Sequence, residues 1–255
     1  MPTAIIKGFG WLCAHLPEKG LAGFCYGLGT VLALLPTQRR RIALANLHHA
    51  FPEKPRRWHQ SIMRQSLRRL IEMTLLSLAS MHFCVDRVRR MVHMPEATRQ
   101  AYRNILQEKS GAVILTPHLS LLETLAFTPA LMPIKRSVAS LFRPFDNDRL
   151  NRLIQQTRER WGGTMLSRKV GIKRAFNTLN EGGFLVIFLD QHAGRHGALI
   201  PFFGRVASAS YLPGLLAARC NASTYMAYPR RTGFWRVELA LEALQIGRAS
   251  CRERV

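Results

Sequence analysis

Two runs of consecutive apolar residues, Ala112–Thr116 (AVILT) and Phe184–Leu189 (FLVIFL), constrain this chain more than any other feature. Neither alternates apolar with polar residues, so neither can be a strand with one face in water; both must be covered on two faces. Helical patterns separate them from further short strands. The order is strand 112–116, helix 119–131, strand 137–142 and a helix over 148–161 opened by the capping types Asp146, Asn147 and Asp148. Strand 164–167, helix 171–180, strand 184–189, a loop over 190–207, helix 209–220 and strands 223–228 and 235–241 follow. Strands alternating with helices predict an α/β fold, a single mixed sheet flanked by helices.

The N-terminal part reads differently. No charged residue occurs between Gly20 and Gln38, and Arg39, Arg40 and Arg41 follow at once. A span needs roughly 20 apolar residues, so the stretch predicts a short membrane helix or a deep interfacial one, with a buried core helix as the alternative. The arginines would keep the rest of the chain on the cytoplasmic side, and no A-x-A site precedes them to mark a cleaved signal peptide. Residues 1–38 are therefore expected to form a membrane anchor and residues 39–245 a single catalytic-type domain.

Charge bears on the partner. The chain of 255 residues has 37 Lys+Arg against 15 Asp+Glu, a formal charge of +22. Between Arg39 and Arg103 alone, 14 basic residues face 4 acidic ones. There, Ile62, Met63, Leu67, Leu70, Ile71, Leu75 and Leu78 recur at helical spacing with Arg64, Arg68 and Arg69 among them, an amphipathic helix with a basic flank. Such charge suits nucleic acid or an anionic membrane surface, and beside an apolar anchor we expect the membrane and no nucleic acid. Five scattered cysteines without a CxxC pair exclude a disulfide scaffold and a zinc ribbon.

Polar residues that could carry chemistry stand where strands end, the place where open α/β sheets bind ligands. His118 follows strand 112–116 in Thr116-Pro117-His118, with Glu123 five residues on. On a regular helix the two would lie about 140° apart. They can pair only if His118 sits in the turn before the helix, where Glu123 would hold one ring nitrogen and free the other as a base. Asp190 and Gln191 end strand 184–189, and Arg143 follows strand 137–142. An arginine there could bind phosphate or polarise a carbonyl. Asp190, His192 and His196 make a poor metal set beside a basic loop, so no metal is expected. Phe202 and Phe203 could plug a core or wall an acyl pocket. There is no GxSxG elbow and no phosphate-binding glycine motif. A base without a protein nucleophile suits direct transfer of an activated acyl group to a substrate hydroxyl.

The blocks RRRIALANLHHAFPE (39–53), GAVILTPHLSLLE (111–123), LFRPFDNDRLNRLIQQTRERWGG (141–163) and EGGFLVIFLDQHAGRHGALIPFFGRVASAS (181–210) together resemble the late acyltransferases of lipid A biosynthesis, the lauroyl/myristoyl acyltransferase family. The resemblance runs over about 39–242. It implies a bacterial inner-membrane enzyme with its active site facing the cytoplasm. It further implies transfer of a fatty acyl chain from an acyl-carrier-protein thioester to a hydroxyl of a phosphorylated glycolipid, a lipid A precursor, without a cofactor. His118 and Glu123 match the family's His-x4-acid pair, acting as general base, and Arg143 and Asp190 match its other polar active-site positions. The family commonly has Gly-Asn-Trp before the acid; Ser120, Leu121 and Leu122 stand there in this chain. Another glycolipid or a lysophospholipid is the alternative acceptor. A basic membrane-binding protein without chemistry is the alternative of a different class, and it would not require the four polar residues to converge.

The last ten residues, IGRASCRERV (246–255), carry no apolar periodicity and equal one translation of a common sequencing adapter. They are expected to be a non-native tail, with the natural frame continuing past Leu244 or Gln245 into the C-terminal helical region that the resemblance implies.

Overall fold

A computed structural model describes residues 3–132, 134–144, 146–167 and 171–244; the expected tail at 246–255 lies outside them. Four helices come first: α1 (Thr3–His15), α2 (Glu18–Leu34), α3 (Gln38–Ala50) and α4 (Arg56–Ala79). Then follow α5 (Val85–Met91), β1 (Val92–His93), α6 (Glu96–Gln107), β2 (Ala112–Thr116), a 3-10 helix (Leu122–Phe127), α7 (Thr128–Leu131), β3 (Val138–Phe142), α8 (Asp148–Glu159), β4 (Gly163–Ser167), α9 (Ile172–Asn180) and β5 (Phe184–Phe188). The chain continues through β6 (Ala198–Phe202), β7 (Arg205–Ala209), α10 (Leu212–Arg219), β8 (Ser223–Gly233) and β9 (Arg236–Ala243).

Seven strands form one sheet in the order β1-β9-β8-β2-β5-β3-β4. It is mixed: β8, β2, β5, β3 and β4 are mutually parallel, and β9 runs antiparallel to β8. The apolar runs become β2 and β5, adjacent central strands. Their side chains divide by face, as a period of two demands. Ala112, Ile114 and Phe184 enter a core shared with α1, α2, α4 and α6, whereas Val113, Leu185 and Ile187 enter a second core under α9 and α10. That double covering is the reason the two runs lack polar alternation.

The apolar stretch 20–38 is not one helix. Leu35 precedes Pro36 and is extended (φ −68°, ψ 132°), as a residue before proline prefers, which stops α2. Thr37 then caps α3, its hydroxyl accepting from the Arg40 N–H at 3.2 Å. The two helices meet at 89°, and no single helix among the described residues is long and apolar enough to cross a membrane. Instead α2 lies on α4 through Leu21, Cys25, Gly29 and Ala33, and turns Phe24, Tyr26, Val31 and Leu34 outward. Gly29 sets the spacing: a β-carbon there would sit 2.6 Å from Arg68 Cγ and 2.9 Å from Arg68 Cα.

Two further differences from the expected elements concern the site. The predicted helix 119–131 is a turn, a 3-10 helix and the short α7. The predicted loop 190–207 contains the antiparallel hairpin β6–β7, which stands apart from the main sheet.

Candidate active site

The parallel pairing of β2 with β5 aligns Thr116 with Phe188. Two residues beyond that pair on each strand stand His118 and Asp190, so strand register alone brings them to one level. They bond twice. One carboxylate oxygen of Asp190 accepts the His118 backbone N–H at 2.6 Å, and the other lies 2.6 Å from the ring Nδ1. An ionised carboxylate only accepts, so Nδ1 carries the proton and Nε2 is left as the basic nitrogen of the neutral ring. The Phe188 ring supports the imidazole at a centroid distance of 4.3 Å.

Partial burial acts to raise the Asp190 carboxyl, but the bonds from the His118 ring and backbone outweigh it and hold its pKa below the ordinary 3.8. The folded-state pKa thus lies below the unfolded one. The pairing contributes its full stability above about pH 5 and loses it as the pH falls through the depressed value. Wild type is expected to lose more stability between about pH 6 and pH 3 than Asp190→Asn, which lacks the titrating group. Urea midpoints across that range measure this, and parallel curves for the two proteins would refute it.

Glu123 does not reach His118. Its carboxylate is gripped by Arg158 of α8, with Nε donating to one oxygen at 2.9 Å and Nη2 to the other. The expected His118–Glu123 hydrogen bond is thereby corrected: Asp190 occupies the orienting place, and Glu123 forms a half-buried bidentate pair with Arg158. The cause is local. Leu121 is in the left-handed region (φ 61°), and the chain enters a tight 3-10 turn that carries Glu123 past the imidazole toward α8. For a residue with a β-carbon this conformation costs on the order of 1 kcal/mol. Full burial of the Leu121 side chain holds it there.

His118, Glu123, Arg143 and Gln191 all line one groove of about 760 Å³. Its walls are apolar, with Met73 and Leu78 of α4 and Met81 just beyond its end facing Leu150, Leu153 and Ile154 of α8. Gln191 Nε2 is 3.4 Å from His118 Nε2, at the free side of the ring. Arg143 is exposed at the groove and has no ion-pair partner among the described residues. Phe202 and Phe203 are not in this wall, which corrects their expected place in an acyl pocket. They sit at the tip of β6–β7, 61% and 50% exposed, where positive φ at Phe203 and Gly204 makes the two-residue turn and Phe203 packs on Phe51 at a centroid distance of 5.5 Å. Among the described residues no three His, Cys, Asp or Glu side chains come together as a metal would require.

Arg158 and the α4 wall were not singled out by sequence reasoning. For Arg158 a signal existed: Leu150, Ile154 and Arg158 recur at four-residue spacing, which puts a charge on the apolar stripe of α8 and implies a buried partner.

The groove therefore joins a histidine held by a carboxylate, an arginine without an ion-pair partner among the described residues, and a long apolar wall. The family model of bacterial lipid A biosynthesis acyltransferases matches residues 3–239. The chain belongs to that family. A search of curated proteins found no match. As a lipid A biosynthesis acyltransferase, the chain takes an acyl donor and a lipid A-type acceptor, and the apolar groove ending at His118 offers the room that a fatty chain needs.

Proposed function

We propose that this acyltransferase moves a fatty acyl chain from an acyl-carrier-protein thioester to a hydroxyl of a phosphorylated lipid A precursor, with His118 as general base. The observation that carries the reading is the pair of hydrogen bonds from His118 to Asp190, which leaves Nε2 as the basic nitrogen at an apolar groove, approached by Gln191 Nε2 at 3.4 Å. His118 Nε2 takes the proton of the acceptor hydroxyl as its oxygen attacks the thioester carbonyl. The negative charge that develops on the carbonyl oxygen is met by Arg143. Collapse breaks the carbon–sulfur bond, and the imidazolium returns the proton to the departing thiolate. Asp190 stabilises the imidazolium meanwhile, and Glu123 with Arg158 keeps the groove wall in shape. No covalent acyl-enzyme is formed.

The reaction site is proposed to lie at the cytoplasmic face of the bacterial inner membrane, with α1–α3 in the interface rather than across it. The outward apolar residues of α1 and α2 support this, as does the exposed hairpin with Leu199, Ile200, Phe202, Phe203 and Val206. The basic surface suits both anionic lipid and an acidic carrier protein. A charge-only binder would give no reason for His118, Glu123 and Arg143 to line one groove with Asp190 bonded to His118.

The test is an acyl-transfer assay with purified protein, acyl-carrier-protein thioester and either a phosphorylated lipid A precursor or a lysophospholipid as acceptor, read by mass spectrometry. Acylation of the precursor, lost in His118→Ala, is expected. Transfer to the lysophospholipid alone, or unchanged transfer by His118→Ala, would overturn the reading.

A further inference from the structure

A second cavity, of about 530 Å³, lies between α2, α4 and the β8–β9 turn, and the acyl-transfer chemistry makes no use of it. Arg64, Arg68 and Arg69 of α4 and Arg231 of β8 line it, against the single carboxylate of Glu72. Glu72 is committed already. It accepts from Arg69 Nη1 at 2.9 Å, from Arg231 Nε at 3.1 Å and from the Trp235 backbone N–H at 3.1 Å. One acid against four guanidiniums leaves a surplus of positive charge and many unused N–H donors.

Arg68 is the most constrained of the four. Its Nη2 donates to the Thr30 hydroxyl at 2.9 Å, its guanidinium lies 3.6 Å from the Tyr26 ring centroid, and the close α2–α4 approach at Gly29 fixes its stem. Its Nε is nevertheless buried without a hydrogen-bond partner. A buried donor left unpaired is costly, and a charged one more so. Arg64 is less committed still: among the described residues it has a long 3.4 Å contact from Nε to its own helix at Gln60 O. Planar forks of this kind match a tetrahedral oxyanion.

We infer that this cavity is a binding site for the phosphate of an anionic lipid headgroup, separate from the acyl-transfer groove. The surroundings argue for a lipid-borne phosphate over a free one. Tyr26, itself a lining residue, is 60% exposed and lays its ring against the Arg68 guanidinium. The site thus has a cationic floor beside an exposed aromatic ring, a pairing suited to the boundary where a headgroup meets its chains. Its place on α4 gives it a use. Arg68 and the groove residue Ser77 are nine positions apart on the same helix, about 14 Å at 1.5 Å per residue. A headgroup held at Arg68 would therefore set the height of the groove mouth above the bilayer. This inference rests on the membrane-surface reading above and not on the acyl-transfer chemistry.

The test compares full-chain wild type with Arg64→Lys/Arg68→Lys, which keeps the charge and removes the forks, by co-sedimentation with vesicles of phosphatidylcholine alone or with phosphatidylglycerol added. Wild type is expected to prefer phosphatidylglycerol vesicles, and the double variant to lose about tenfold in that affinity with its binding to phosphatidylcholine unchanged. Should the pair unfold, as circular dichroism would show, Arg64→Lys alone is expected to lose a smaller part of the same preference. Equal affinity of the folded variant and wild type for phosphatidylglycerol would overturn the inference in favour of diffuse charge. Abolition of the preference by millimolar inorganic phosphate would overturn the lipid as source. Binding to neither vesicle would overturn the membrane reading as well.

Discussion

Asp190→Asn is expected to lower the rate of acyl transfer by about three to four orders of magnitude, the scale seen when a base loses the carboxylate that sets its tautomer. The substitution is nearly isosteric, so the fold and the groove should persist. What changes is the proton. The Asp190 carboxylate can only accept, which places hydrogen on His118 Nδ1. An amide can present its NH₂ to that nitrogen instead, and the ring proton then moves to Nε2, where it blocks proton abstraction. The loss should fall on kcat, with KM for donor and acceptor little changed. His118→Ala should be at least as severe, and the double variant no worse than His118→Ala alone, because the two residues act as a unit. Glu123→Gln separates this arrangement from a histidine–glutamate dyad. If Glu123 were the orienting acid, its amide would cost the larger factor and Asp190→Asn would stay within about tenfold of wild type. That ordering in a kinetic assay would sink the Asp190 assignment.

The second large effect is on stability. Glu72 is 1% exposed and ties α4 to the β8–β9 turn: besides Arg69 and Arg231 it receives the Trp235 N–H, and its own carbonyl accepts from the Trp235 indole at 3.2 Å. Trp235 is fully buried, has positive φ and stacks on Phe234. Removing the carboxylate in Glu72→Ala strands the Arg231 guanidinium and a buried backbone donor at once. Loss of one partner of a buried ion pair costs about 3–5 kcal/mol, which for a chain of this size lowers the unfolding midpoint by on the order of 10 °C. The comparison is Glu96→Ala. Glu96 pairs with Arg103 at an exposed site, and its removal should stay within about 0.5 kcal/mol. A Glu72→Ala midpoint no lower than that of Glu96→Ala would dismiss the assigned role. The same variant should weaken phosphatidylglycerol binding, since Glu72 braces two of the four arginines around the second cavity.

Much of the sheet could be read from local pattern. AVIL and FLVIFL are apolar at every step because β2 and β5 are covered on both faces, and α8 begins at Asp148 because Asn147 caps it by accepting the Leu150 N–H at 3.0 Å. Elements decided by remote contacts were not legible. The hairpin β6–β7 reads as loop because its strands have no buried face to enforce alternation. The turn at Leu121 reads as helix because leucine favours helix, and only its burial in the core holds it in the left-handed region.

The site divides along the same line. Local pattern is enough to say which side chains stand at the ends of β2, β3 and β5, because a buried apolar run that ends in His118, Arg143 or Asp190 delivers that residue to the sheet edge whatever surrounds it. The sequence also carried the family blocks that foretold a lipid A acyltransferase. Which carboxylate holds the histidine was decided by tertiary structure. Glu123 is five residues from His118 and Asp190 is seventy-two, yet parallel register sets Asp190 beside the imidazole while a 3-10 turn spends Glu123 on Arg158. Sequence separation carries no information about distance across a parallel sheet, because a crossover can bring any two strand ends together.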